Sequence, residues 1–111
     1  MLTEEVISIR DFKRLDIRIG TIKQVEPITG SEKLFRIQMD MGDHTRQIIS
    51  GIAEYYSPEG LVGLQIAVLC NLKPAKIFGN DSNGMLLASE SGSSLALLTV
   101  DHEISNGAKI T

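Results

Sequence analysis

Phe35, Ile37, Met39 and Met41 alternate without a break with Arg36, Gln38 and Asp40. A period of two is the mark of a strand with one face buried and one face wet, and a helix cannot use it. Gly42-Asp43 follows as a turn, and Thr45 to Ser50 supplies a β-branched return segment. The middle of the chain therefore predicts a β-hairpin, and the rest of the fold has to be compatible with antiparallel strands.

The flanking segments carry the same signal. Between Asp16 and Val25, Ile17 and Ile19 share one parity and Ile22 takes the other, with the switch at Gly20-Thr21, so a glycine bulge is expected there. Leu64, Ile66, Val68, Cys70 and Leu72 alternate, while Ala67 and Leu69 are apolar on the opposite parity, which predicts a central strand covered on both faces. Met85 to Ala88 and Leu95 to Val100 read as further strands, separated by a turn at Ser91 to Ser94, and Ser105-Asn106-Gly107 forms a last turn before Ala108 to Thr111.

Two short helical signals interrupt the strands. Ser8 with Asp11 forms a capping pattern ahead of Ile9, Phe12 and Leu15, and Ser57-Pro58-Glu59 is an N-cap with proline at the first helical position. From Lys73 to Gly84 the turn formers Pro74, Gly79, Asn80, Asp81, Asn83 and Gly84 predict a long loop, of the kind that is often functional in a small domain. Together these readings predict an all-β chain: a five-stranded OB-fold barrel with a short N-terminal helix, a helical turn between strands 3 and 4, and a short C-terminal extension. The 111 residues suit one domain, with a core over about 8–90 and an extension over about 91–111.

Composition narrows the function. A hydrophobic fraction of 42% and a charged fraction of 23% are those of a globular protein. No apolar run approaches the ~20 residues of a membrane span. Glu4 and Glu5 stand where a secretory signal carries basic residues, so a cytoplasmic location without membrane contact is expected. Cys70 is alone and lies in an apolar strand, where a buried structural thiol is expected, and His44 and His102 are far apart in loop segments. No catalytic residues, metal site or cofactor are expected, because no nucleophile elbow, paired metal ligands or P-loop occurs.

The net charge of −3 is unusual for a chain that meets nucleic acid, but it is unevenly placed. Residues 1–30 and 31–79 each balance five basic against five acidic side chains, and residues 80–111 set Lys109 against four acids. A local basic face built from Lys33, Arg36, Arg46, Lys73 and Lys76 stays compatible with that distribution.

Asp16-Ile-Arg-Ile-Gly-Thr-Ile22, Gly30-Ser-Glu-Lys-Leu-Phe35, Arg46-Gln-Ile-Ile-Ser-Gly-Ile52, and Asn71-Leu-Lys-Pro-Ala-Lys76 followed by Ser82-Asn-Gly-Met-Leu-Leu-Ala88 keep their order along nearly the whole chain. This set resembles the tRNA-binding domain found as the C-terminal extension of methionyl-tRNA synthetases, as free-standing tRNA-binding proteins and in synthetase-associated cofactors. Gly30-Ser31-Glu32-Lys33 resembles the bacterial methionyl-synthetase form. The resemblance implies a non-catalytic, structure-specific tRNA binder, acting as a homodimer joined through the chain ends or as a trans-acting subunit of a methionyl-tRNA synthetase. It implies tRNA contacts at Lys33, Asn71, Lys73, Lys76, Ser82 and Met85, with Arg36 and Arg46 as supplements.

The residue types suit that task on their own terms. Lysines meet phosphates as flexible point charges and release counterions, while Asn71 and Ser82 carry donors for phosphate or ribose oxygens. Phe35 keeps core parity; Phe78, in the loop, either anchors it or stacks on a base. The apolar Leu95 to Val100 would leave an open edge that a symmetric partner could cover. A secretion-associated or peptide-binding chaperone on the same fold is the alternative, and it fits less well because the Asn-Leu-Lys-Pro and Gly-Met segments are intact.

Overall fold

The computed structural model describes residues 5–111, so Glu4 of the N-terminal reading lies outside the described residues. The elements run α1 (Ile9–Phe12), β1 (Ile17–Pro27), β2 (Phe35–Asp40), β3 (Thr45–Ser50), α2 (Pro58–Leu61), β4 (Gln65–Leu69), β5 (Ala75–Ile77), β6 (Asn80–Ser82), β7 (Met85–Leu86), β8 (Ala88–Ser91) and β9 (Ser94–Leu97). Five of them form one antiparallel sheet in the order β3-β2-β1-β4-β7.

β1 is the spine of that sheet. Its first half, Ile17 to Thr21, pairs with β4, and its second half, Thr21 to Pro27, pairs with β2, so Thr21 belongs to both ladders. The sheet curls until its two edges meet. There the Asn83 backbone N–H donates to the Gln47 carbonyl at 2.8 Å, and the Ile49 N–H donates to Ser82 Oγ at 3.0 Å. This is the expected five-stranded OB-fold barrel, its edges joined by such scattered backbone and side-chain bonds and not by a continuous ladder.

Ile22, Ile37, Met39, Met41, Ile48, Leu61, Ile66 and Val68 fill the interior, each less than 2% or at most 2% exposed. Leu61 reaches it from α2, whose start is set by Ser57 Oγ accepting the Gly60 N–H and by Pro58 in the first turn. α1 carries the capping box of Ser8 and Asp11 and spans a single turn. Cys70 is buried in the interior cluster, and desolvation pushes its thiol above the usual pKa.

Three expectations are corrected. The bulge in β1 is at Lys23, where the register shifts between Ile22 and Gln24, and not at Gly20-Thr21. Alternation runs unbroken through Gly20: Ile17 and Ile19 face a second cluster with Ala67 and Leu69, while Ile22 faces the barrel interior. Both faces are covered, so the parity switch needs no bulge. Gly20 is small for another reason, since a Cβ there would lie 2.5 Å from Met41 Sδ.

The segment Lys73 to Gly84 is also not an open loop. It contains the β5–β6 hairpin, paired Ala75 to Ser82, Lys76 to Asp81 and Ile77 to Asn80. Finally, Leu95 and Leu97 do not leave an apolar edge to a partner; they pack against the barrel core from the β8–β9 hairpin. The tail beyond runs back along β1, with the Gly107 N–H donating to Ile19 O at 2.7 Å and the Ile110 N–H to Ile17 O at 2.8 Å.

Candidate nucleic-acid interface

The β5–β6 hairpin turns at Phe78-Gly79, with φ of +50° and +74°. Left-handed angles at both central residues are the geometry of a tight two-residue hairpin turn, and for a bulky side chain such an angle is an outlier. Asn80 stabilises it. Its Nδ2 donates to the Phe78 carbonyl at 2.8 Å, and its Oδ1 accepts from Arg36 Nη1 at 3.1 Å. Arg36 in turn lies 3.4 Å from Glu26, and Gln47 Nε2 donates to the Asp81 carbonyl at 2.8 Å. The hairpin is therefore clamped to β2 and β3 and leans over the β1–β2 loop, where a Cβ on Gly30 would lie 3.9 Å from the Phe78 ring.

These contacts gather part of the expected set. Lys33 is exposed in the β1–β2 loop beside an open groove formed by Gly30 to Lys33. Arg36 is half-buried on the adjoining strand, and Lys76 is exposed on β5, 3.5 Å from Asp81. Lys73 is exposed at the root of the hairpin, just before Pro74, and Met85 is exposed on β7 opposite Leu69. Phe78, at the hairpin turn, is 62% exposed and adjoins Gly30 of the loop; its signal in the sequence is an aromatic residue directly before a glycine in a run of turn formers.

Three other candidates are occupied by the fold. Ser82 is buried at 5% exposure, and its hydroxyl accepts the Ile49 N–H at the barrel seam, so it helps to hold the wall. Asn71 Oδ1 accepts the Asp16 N–H at 2.9 Å while its Nδ2 donates to the Arg14 carbonyl at 2.7 Å, which ties the exit of β4 to the segment before β1. Arg46 pairs across the hairpin with Met39, so it takes the interior parity. Its Nη1 donates to the Cys70 carbonyl at 3.0 Å and to Asn83 O and Oδ1 at 3.3 and 3.1 Å, at the rim of an open cavity of about 520 Å³ with Asp16, Arg18 and His44. Asp43, hydrogen-bonded to His44 there, has its carboxyl held below the usual pKa by that bond.

The electrostatics are modest. Arg36 and Lys76 each have a carboxylate neighbour, so only part of their charge projects outward. Such a face supplies local attraction without a large basic field.

A small barrel whose β1–β2 loop lies against the β5–β6 hairpin, beside strands 2 and 3, is an OB-fold domain. The chain belongs to the family described as "Putative tRNA binding domain", whose profile matches residues 17–109. It is 51% identical over 108 residues to a methionine–tRNA ligase of Thermotoga maritima, a match that covers 97% of this chain but 17% of that protein. Its structure is similar to that of a MetRS related protein from Pyrococcus horikoshii, with a TM-score of 0.92 and 32% identity, covering 97% of this chain and 100% of the other. It is also similar to the chaperone CsaA of Bacillus anthracis, with a TM-score of 0.88 and 30% identity, covering 96% and 100%.

Proposed function

We propose that this chain is a non-catalytic, structure-specific tRNA-binding protein of the cytoplasm, and that the folded RNA meets the face bounded by Lys33 and the β5–β6 hairpin. What supports the reading is a barrel of this family in which Arg36 holds the β5–β6 hairpin through Asn80 and the exposed Phe78 of that hairpin lies against Gly30 of the loop that carries Lys33. Cations suit phosphates, and the loop's open groove offers a place for a bent RNA. Lys73 and Met85 extend the face towards β7. Among the described residues no helix is long and apolar enough to cross a membrane.

The chain spans 17% of the length of the methionine–tRNA ligase it matches, and that relation supports the proposal that it serves as a tRNA-binding subunit acting in trans on such a ligase. Action as a homodimer rests on a separate feature. Ile9 and Leu15, 68% and 41% exposed, line an apolar groove of about 220 Å³ with Phe12 and Ile110, formed where α1 meets the tail. A second copy covering this groove would join the chains through their ends, and sedimentation at micromolar concentration is expected to give a dimer.

In a gel-shift titration, folded tRNA binds with an affinity that falls steeply with salt. A Lys73→Ala, Lys76→Ala double variant lowers the magnitude of the log–log salt slope by about 1 to 2, as expected for one or two lost phosphate contacts. Binding indifferent to ionic strength would remove the proposal. The similarity to a chaperone keeps a peptide-binding reading in play, with the apolar groove as its site. Suppression of client aggregation that tRNA does not compete away would favour it.

A further inference from the structure

We infer that Phe78 is the floor of a subsite for one unstacked nucleobase, set between the β5–β6 turn and the Gly30 to Lys33 loop. The inference rests on the tRNA reading for its biological ligand, but its geometry stands apart from it.

Three observations point to the ring. Phe78 is the most exposed of the chain's aromatic side chains at 62%, while Phe35 is in the core, Phe12 packs on the second cluster and Tyr56 OH accepts the Leu97 N–H. Its backbone is held at φ +50°, a left-handed angle that disfavours a large side chain and that asparagine or glycine would occupy with less strain. The strain is sustained by specific bonds, since Asn80 grips the Phe78 carbonyl with one side-chain atom and accepts from Arg36 with the other. Local strain held in place by its surroundings at an exposed position is a mark of function.

The neighbourhood defines the ligand. Gly30 adjoins the ring, a Cβ there would come into contact with it at 3.9 Å, and Gly30 also lines the open groove that runs to Lys33. Lys33 lines that groove together with Glu32 and supplies a cation suited to a phosphate next to the base. An aromatic face gives affinity to any base that is free of its own stack, and gives little to a base inside a duplex. The subsite therefore selects RNA with a splayed nucleotide, as at a loop or bend.

The test uses the full chain, which has no tryptophan, so Phe78→Trp introduces a single fluorescent reporter at the site. Its emission is expected to be quenched to saturation by tRNA and by a single-stranded oligoadenylate, and not by a blunt RNA duplex of equal length. Phe78→Leu, which keeps an apolar side chain without a π face, is expected to weaken tRNA binding about tenfold with an unchanged salt slope. Emission that neither tRNA nor oligoadenylate moves overturns the subsite. So does a Phe78→Leu chain that binds tRNA as the parent does, and so does a weakened Phe78→Leu chain whose Phe78→Trp counterpart shows no quenching by tRNA, because the ring then shapes the hairpin without touching a base. Quenching by oligoadenylate with no binding of tRNA upholds the subsite and removes the tRNA reading. Salt-dependent tRNA binding without quenching does the reverse.

Discussion

Arg36 and Arg46 lie one strand apart, and each reaches an asparagine in the connection between β4 and β7, yet they serve different regions of the molecule. Arg36 is on the outer parity of β2, opposite Glu26 and Ile49, and its guanidinium positions the hairpin that presents Phe78. Arg46 is on the inner parity of β3, opposite Met39, and donates to main-chain carbonyls at the barrel rim. One arginine orients a surface; the other fastens a seam. Register, which decides the face a side chain occupies, separates two residues that look interchangeable by type.

The contrast is open to attack. Arg46→Ala should have the largest effect on folding, a loss of about 2 kcal/mol in urea unfolding, since charge-assisted bonds to two carbonyls disappear together. The folded fraction should keep its tRNA affinity; a variant as stable as the parent would deny the rim its structural role. Asn80→Ala should cost about 1 kcal/mol by removing the bonds to Arg36 and to the Phe78 carbonyl, and it should also weaken tRNA binding. Unchanged binding in that variant would mean that the hairpin needs no clamp. The smallest expected change has the opposite sign. Phe78→Asn should raise stability by up to about 1 kcal/mol, because asparagine tolerates the left-handed backbone, while lowering affinity for tRNA. A loss of stability would show that the ring contributes packing and that the surface and the seam are less distinct than drawn.

Much of the scaffold was legible because its signals are local. The alternation from Phe35 to Met41, the caps at Ser8 and Ser57 and the doubly covered β4 all appear where the pattern places them. The β5–β6 hairpin was missed because its strands are three residues long and mostly polar, and because its turn uses a phenylalanine at a position usually given to glycine or asparagine. Ser82 read as a surface donor since nothing nearby in sequence reveals that its hydroxyl replaces a backbone partner for Ile49. Gly20 read as a bulge because the crowding there comes from Met41 on another strand. For the interface, the charges of Lys33, Arg36 and Lys76 were readable, but the bonds of Arg46 to the barrel rim depend on which strand partners it faces.

Thr21 stands in two ladders at once. A residue inserted or deleted between Ile17 and Thr21 would exchange the side chains offered to the two hydrophobic clusters and slip the pairing with β4, so length along this strand is rigidly fixed. The tips of the β1–β2 loop and of the β5–β6 hairpin belong to neither of these ladders. Lengthening them leaves the spine's register intact, so evolution is free to remodel the two edges that would meet an RNA while the barrel behind them keeps its dimensions.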